Sequence, residues 1–195
     1  MCIIIPVYEY LYIAEGANTM KLNDIVLNEM NKQLKRIEAC LHLLSDEQVW
    51  HRFKPNMNSI GNLCMHLAGN EYQHFVSGIG KAPFNRTRSE EFSMNRGIPG
   101  KELAELLKDV RRQSSSILEA MTERDLKTSI TVHFSIDDWN KMMVRPAFET
   151  NSNYSRDLET MLIQVCEHYS YHSGQVVILT KLLMDREDNI TGTFH

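Results

Sequence analysis

Between Lys21 and Leu44 the apolar residues Ile25, Leu27, Met30, Leu34, Ile37, Leu41 and Leu44 recur mostly at steps of three and four. That is the period of an amphipathic helix. Ser45 and Asp46, then Pro55 and Asn56, break the pattern. A second helix is expected to open at Asn58 or Ser59, both good N-cap residues, to carry Ile60, Leu63, Leu67 and Phe75, and to fade at Gly78 and Gly80. Residues 81–97 are polar, with Pro83, Arg86, Arg88, Glu90, Glu91 and Gly97, and read as a long loop of the kind that often carries function. Pro99 sits where prolines open helices, and Leu103, Leu106, Leu107, Val110, Ile117, Leu118 and Met121 follow as a third stripe. The alternation Ile130, Val132, Phe134, Ile136 predicts one or two short strands between Lys127 and Trp139, paired as a hairpin. Arg145, Pro146 and the Asn151–Ser155 cluster lead into a last helix from near Ser155 to about Met184. The expected fold is all-α: a four-helix bundle with a short β-hairpin before the last helix.

Composition narrows this picture. The 195 residues suit one domain, assigned to 20–195, with 1–19 as an N-terminal extension. That extension is apolar at Ile3–Val7 but lacks a basic leader, and Glu9 and Glu15 interrupt it, so it does not read as a signal peptide. Met20 begins the ordinary amphipathic sequence and reads as the natural start. With 21 Lys and Arg against 25 Asp and Glu the formal charge is −4, which argues against a nucleic-acid binder. No apolar run reaches the length of a membrane span. Cys2, Cys40, Cys64 and Cys166 form no C-x-x-C pair and suit reduced thiols filling a core. A cytoplasmic protein is the expectation. Apolar stripes on long helices also allow a homodimer.

The histidines carry the chemical information. His168 and His172 stand four apart, one helical turn, so both rings face the same way. Met161, Val165, Val176 and Leu179 place them on the stripe that faces the core. Two readings stand for such a pair: hydrogen bonds to Tyr or backbone groups in a wet cavity, or a shared metal ion. A third ligand would have to come from a facing helix, and His66, three beyond Leu63, is the best candidate. The Cys-x-His pairs at Cys40, Cys64 and Cys166 cannot chelate, because residues two apart on a helix diverge. Glu71 and His74 have the Glu-x-x-His spacing of di-iron bundles, but Val165 stands where a second such motif needs its acid. Three neutral ligands would leave an open, positively charged position, as in catalytic zinc sites. Asn70 and Gln175 are candidates to hydrogen-bond the ligands or to orient a substrate. Glu71 and Glu167 point away from their neighbouring histidines, so no general base is assigned, and His74 or His133 would be the groups able to close the coordination. Arg86 and Arg88 either clamp a carboxylate-bearing substrate or pair with Glu90 and Glu91.

The stretches Asn58-Ser59-Ile60-Gly61-Asn62-Leu63-Cys64-Met65-His66-Leu67-Ala68-Gly69-Asn70 and His168-Tyr169-Ser170-Tyr171-His172-Ser173-Gly174-Gln175, taken with the helix order from Met20 to Met184, resemble the DinB/YfiT-like superfamily of metalloenzymes. The resemblance implies an up-down-down-up four-helix bundle. It implies a divalent ion, zinc or nickel, held by one histidine of the second helix and two of the last, which are His66, His168 and His172 here. Some proteins it resembles are thiol S-transferases acting on a low-molecular-weight thiol and others resemble metal-dependent hydrolases. The expectation here is the S-transferase, with a metal-dependent hydrolase or a non-catalytic helical metal- or ligand-binding or dimerisation module as alternatives.

Overall fold

Helix α1 (Leu22–Leu43) buries Leu27, Met30, Leu34, Ile37 and Leu41 from the expected stripe and Val26 beside them, while Ile25 turns outward. The structure, a computed structural model, describes residues 20–142, 152–185 and 187–190. The extension 1–19 and the Arg145–Pro146 connection lie outside the described residues. A single turn, α2 (Asp46–Val49), occupies the break after α1, opened by a Ser45–Gln48 capping box. Helix α3 (Ile60–Glu71) starts with the same device: Ser59 Oγ accepts from Asn62 N–H, and the Asn62 side chain accepts from Ser59 N–H. Trp50 lies flat on its first turn, where a Cβ on Gly61 would come within 2.8 Å of the indole. The helix continues into a π-helical segment, Tyr72–Ile79, that ends at Gly80.

The polar run 81–97, expected to be a loop, contains a short helix, α4 (Arg88–Ser93). Asn62 fixes it to α3 by donating from Nδ2 to the carbonyls of Glu91 and Met94, both at 2.8 Å. Helix α5 (Gly100–Glu119) follows Pro99, and α6 (Glu123–Leu126) adds one more turn. The four long helices form a ring in which α1 packs on α5 and α8 (Leu158–Met184), and α3 packs on the same two. Helices α3 and α8 are therefore neighbours, which brings their histidines face to face. Cys40 and Cys64 fill the core, and Cys166 is half-buried.

The strands differ from the expected hairpin in one respect. Strand β1 (Ser129–His133) pairs antiparallel with β2 (Asn153–Asp157), setting Ile130 opposite Arg156 and Val132 opposite Tyr154. Helix α7 (Ile136–Met142) lies between them in sequence, so Ile136 leaves the alternation. Ser135 explains the switch: its Oγ accepts from Asp138 N–H at 3.2 Å and opens a helix. The last helix correspondingly starts at Leu158 rather than near Ser155. Ser155 and Arg156 belong to the ladder, and Asp157 is the N-cap, accepting from Thr160 N–H at 2.8 Å.

Candidate metal centre

His66 projects from α3 towards His168 and His172, which stand one turn apart on α8. The ring centroids form a nearly equilateral triangle, 4.9 Å from His66 to His168, 5.1 Å from His66 to His172 and 4.6 Å between the last two. One nitrogen from each ring lies within 4.8 Å of the others, close enough to hold one ion. Two rings have their tautomer set from behind. His66 Nδ1 lies 2.9 Å from Glu91 Oε2, and His172 Nδ1 lies 2.6 Å from Gln175 Oε1. Neither oxygen carries a proton to give, so Nδ1–H donates and each Nε2 is left with a lone pair. His168 Nε2 is buried and has no hydrogen-bond partner among the described residues. Such an orphan costs about 1–3 kcal/mol.

Electrostatics keep the cluster neutral. Burial pushes His66 below the ordinary histidine range, against the raising effect of its bond to Glu91. His172 is pushed the same way by burial. His168 is pushed down to about 3 by burial and then by His172 and His66 beside it. Three unprotonated imidazoles facing one point are a set of Lewis bases.

Behind His66 runs a chain of buried polar groups. Arg86 donates from Nε to Glu91 Oε1 at 2.6 Å and from Nη2 to Oε2 at 2.7 Å. Its Nη1 donates to Gln73 Oε1, and Gln73 in turn donates to the carbonyl of His133. Arg86 Nη2 also lies 3.1 Å from His66 Nδ1, but both groups bring hydrogens and both are directed at Glu91 Oε2. Gly69, one turn beyond His66, makes room for this pair: a Cβ there would sit 2.1 Å from Glu91 Oε1. Phe92 packs against the His66 ring at 4.7 Å.

In front of the cluster lies a cavity of about 310 Å³, whose lining includes His66, His168, Asn70, His74, Tyr154 and Arg88. His74 donates from Nδ1 to the Asn70 carbonyl at 2.7 Å and accepts at Nε2 from Tyr154 O–H at 2.9 Å. Both ring nitrogens of His74 are thereby occupied, and burial lowers its pKa to about 4.

The sequence matches the mycothiol S-transferase family over residues 26–184. This chain belongs to that family. Two solved structures share the fold. A DinB-like protein from Bacillus cereus is 16% identical with a TM-score of 0.60, covering 87% of this chain and 95% of that one. A conserved protein from Enterococcus faecalis is 16% identical with a TM-score of 0.59, covering 86% and 99%. No curated protein gives a match. Within the DinB/YfiT-like superfamily the chain is a helical bundle with a two-stranded sheet beside it.

In this member of the mycothiol S-transferase family the sequence-expected site residues fall in different places. His66, His168 and His172 converge, and Gln175 bonds to His172. Asn70 lines the cavity but reaches His74 through its backbone carbonyl and has no side-chain bond to the three rings. His133 is exposed on β1. Glu71 is turned away into the bundle, as its helical position requires. Arg86 pairs with Glu91, leaving Arg88 without the partner proposed for it as a clamp. The pairing of Arg86 with Glu91 is one of the two expected arrangements, but the bond from Glu91 to His66 is not among the expectations, nor are Tyr154 and Arg156. Gly69 was the signal for Glu91: a glycine inside an apolar helix, three residues past a candidate ligand, marks a close approach by another group.

Proposed function

We propose that this protein is a metal-dependent thiol S-transferase whose divalent ion, zinc or nickel, is held by His66, His168 and His172. The observation that carries the reading is His168 Nε2, buried with no hydrogen-bond partner among the described residues where three neutral rings meet. The donor set fits: two of the rings hold Nδ1–H against acceptors, the wiring that directs Nε2 to a metal. An ion bound by three neutral ligands keeps its charge and an open position, and would favour the thiolate over the thiol.

The chain's own groups then orient and enclose. Glu91, gripped by Arg86, fixes the His66 ring, and Gln175 fixes His172. His74 holds the Tyr154 hydroxyl at the cavity surface with its proton on oxygen, since burial raises Tyr154 and lowers His74. A small-molecule thiol is the substrate class that the family supports. No acidic residue is among the described residues lining the cavity, which favours thiol transfer over a hydrolase needing a carboxylate base. Among the described residues no helix is long and apolar enough to cross a membrane.

The test is elemental analysis of untagged protein dialysed against metal-free buffer, beside His172→Ala. About one equivalent of zinc or nickel in the parent and none in the variant is expected, with thiol consumption by an alkylating electrophile following the metal. A parent that takes up neither ion, even when supplied with it, overturns the reading.

A further inference from the structure

The cavity beside the three histidines carries positive charge that no described residue pairs with. Arg88, the first residue of α4, and Arg156, in β2, both line it. Neither makes an ion pair with any described residue. The Arg88 guanidinium lies over the Phe92 ring at 4.9 Å, and that of Arg156 lies over Tyr154 at 5.5 Å while donating to the neutral amide oxygen of Gln164. Stacking occupies the face of a guanidinium and leaves its edge of donors free.

Arg86, on the same wall, shows the contrast. Its Nε and Nη2 are taken by Glu91 and its Nη1 by Gln73. The carboxylates that act on Arg88 are Glu91 and Asp138, and both have their oxygens engaged. Glu91 accepts from Arg86 and His66. Asp138 accepts from the backbone N–H of Arg88 and Ser89 and from Ser135 Oγ. Burial and the neighbouring Arg86 hold Arg88 below the ordinary arginine range, so its charge sits in a place that disfavours it. Two such arginines lining one cavity would be satisfied by an anion arriving from solvent.

We infer that Arg88 and Arg156 form a subsite for an anionic oxygen group, a carboxylate or a phosphate, on the small molecule whose other end reaches the three histidines. The position of that other end rests on the thiol-transfer reading above. Recognition of the anion by the two arginines does not depend on a metal. The subsite also divides the candidate thiols: those carrying an acid group are favoured over neutral ones of the same size.

The experiment is an NMR titration of metal-free full-length protein, following the arginine Nε–H signals, with succinate, inorganic phosphate and uncharged succinamide at constant ionic strength. Saturable shifts of the Arg88 and Arg156 signals with succinate or phosphate, and none with succinamide, are expected. The anion that saturates at the lower concentration identifies the group. Arg88→Gln and Arg156→Gln should each weaken that binding about tenfold or more, the scale of a lost charge-assisted hydrogen bond. Arg88→Lys should retain part of it. Shifts that fail to saturate, equal shifts with succinamide, or glutamine variants that bind like the parent would overturn the subsite. Should a glutamine variant not fold, the parent titration against succinamide decides alone. Repeating the series after zinc addition separates the two readings: anion binding without zinc uptake removes the metal and keeps the subsite, and zinc uptake without anion binding does the reverse.

Discussion

Two buried arginine–carboxylate pairs lie on opposite sides of α3 and share one geometry. In the bundle centre Arg111 donates from Nε to Glu71 Oε1 at 2.7 Å and from Nη2 to Oε2 at 2.9 Å. Beside the histidines Arg86 grips Glu91 through the same two nitrogens at 2.6 and 2.7 Å. They differ in where the remaining donors and acceptors lead. Around Glu71 every thread ends in the fold: Ser114 on α5 donates to its carboxylate, Arg111 Nη1 donates to Asn31 on α1 at 2.9 Å, and the guanidinium lies over Tyr169 of α8 at 4.8 Å. That network joins all four long helices. Around Glu91 one thread ends on His66, whose other nitrogen faces its two companions. A buried ion pair is therefore not in itself a sign of function. The sign is a connection that leaves the fold for a cavity.

The comparison is broken most severely from the core side. Arg111→Ala leaves Glu71 buried without its partner and should cost about 3–5 kcal/mol, read by denaturant unfolding. The protein that stays folded should keep the metal stoichiometry of the parent, because none of the network touches the three rings. A stability loss no larger than that of a surface substitution would show that the pair does not tie the helices together.

The site pair should respond in the opposite sense. Glu91→Gln keeps the shape of the side chain but turns one accepting oxygen into an NH2, which then faces either Arg86 Nε or the Arg86 Nη2 and His66 Nδ1 donors that share the other oxygen. Zinc affinity should fall about 10- to 100-fold in a chelator competition, with a smaller loss of stability than Arg111→Ala. Unchanged affinity in a folded variant would separate Glu91 from the proposed metal centre. Gly69→Ala attacks the same pair by crowding it and sharpens the result, since a Cβ would meet both Glu91 and Arg86 Nε.

What the sequence made legible follows from the range of each interaction. The long helices are readable because their buried residues repeat within the helix itself. The histidine pair is readable for the same reason, being one turn apart, and His66 became a candidate through its place beside Leu63. Glu91 was readable as a partner for the loop arginines but not as a partner of His66: α4 has six residues, too few for a period, and its one buried side chain sits in a polar run. Arg156 was hidden by register. It reaches the cavity because β2 pairs with β1 across the intervening α7, and a strand reading Asn-Tyr-Ser-Arg-Asp has no apolar alternation to announce it. Glu71 and Arg111 lie on separate helices, and a pair that distant leaves no local pattern.

Asp138 sits between the two extremes and gives the smallest effect. It is carried by α7, yet its oxygens accept from Arg88 N–H at 2.8 Å and Ser89 N–H at 2.9 Å, so it holds the start of the helix that bears Glu91. Asp138→Ala should cost about 1–2 kcal/mol, the upper range for a lost cap, and should loosen zinc binding less than Glu91→Gln does. The pH dependence distinguishes this carboxylate from packing. Burial alone would raise its pKa, but the hydrogen bonds from Ser135, Arg88 and Ser89 outweigh burial and hold it below the usual carboxylate range. A depressed folded-state value means that its contribution is present above the unfolded value of about 3.9 and is lost as the pH falls through the lower folded value. Parent and Asp138→Asn should therefore differ in stability by a constant amount near neutrality, and the gap should close only below about pH 4. A gap that stays constant through the acid range would make the residue's role one of shape, and the link from α7 to the histidines would then rest on the backbone alone.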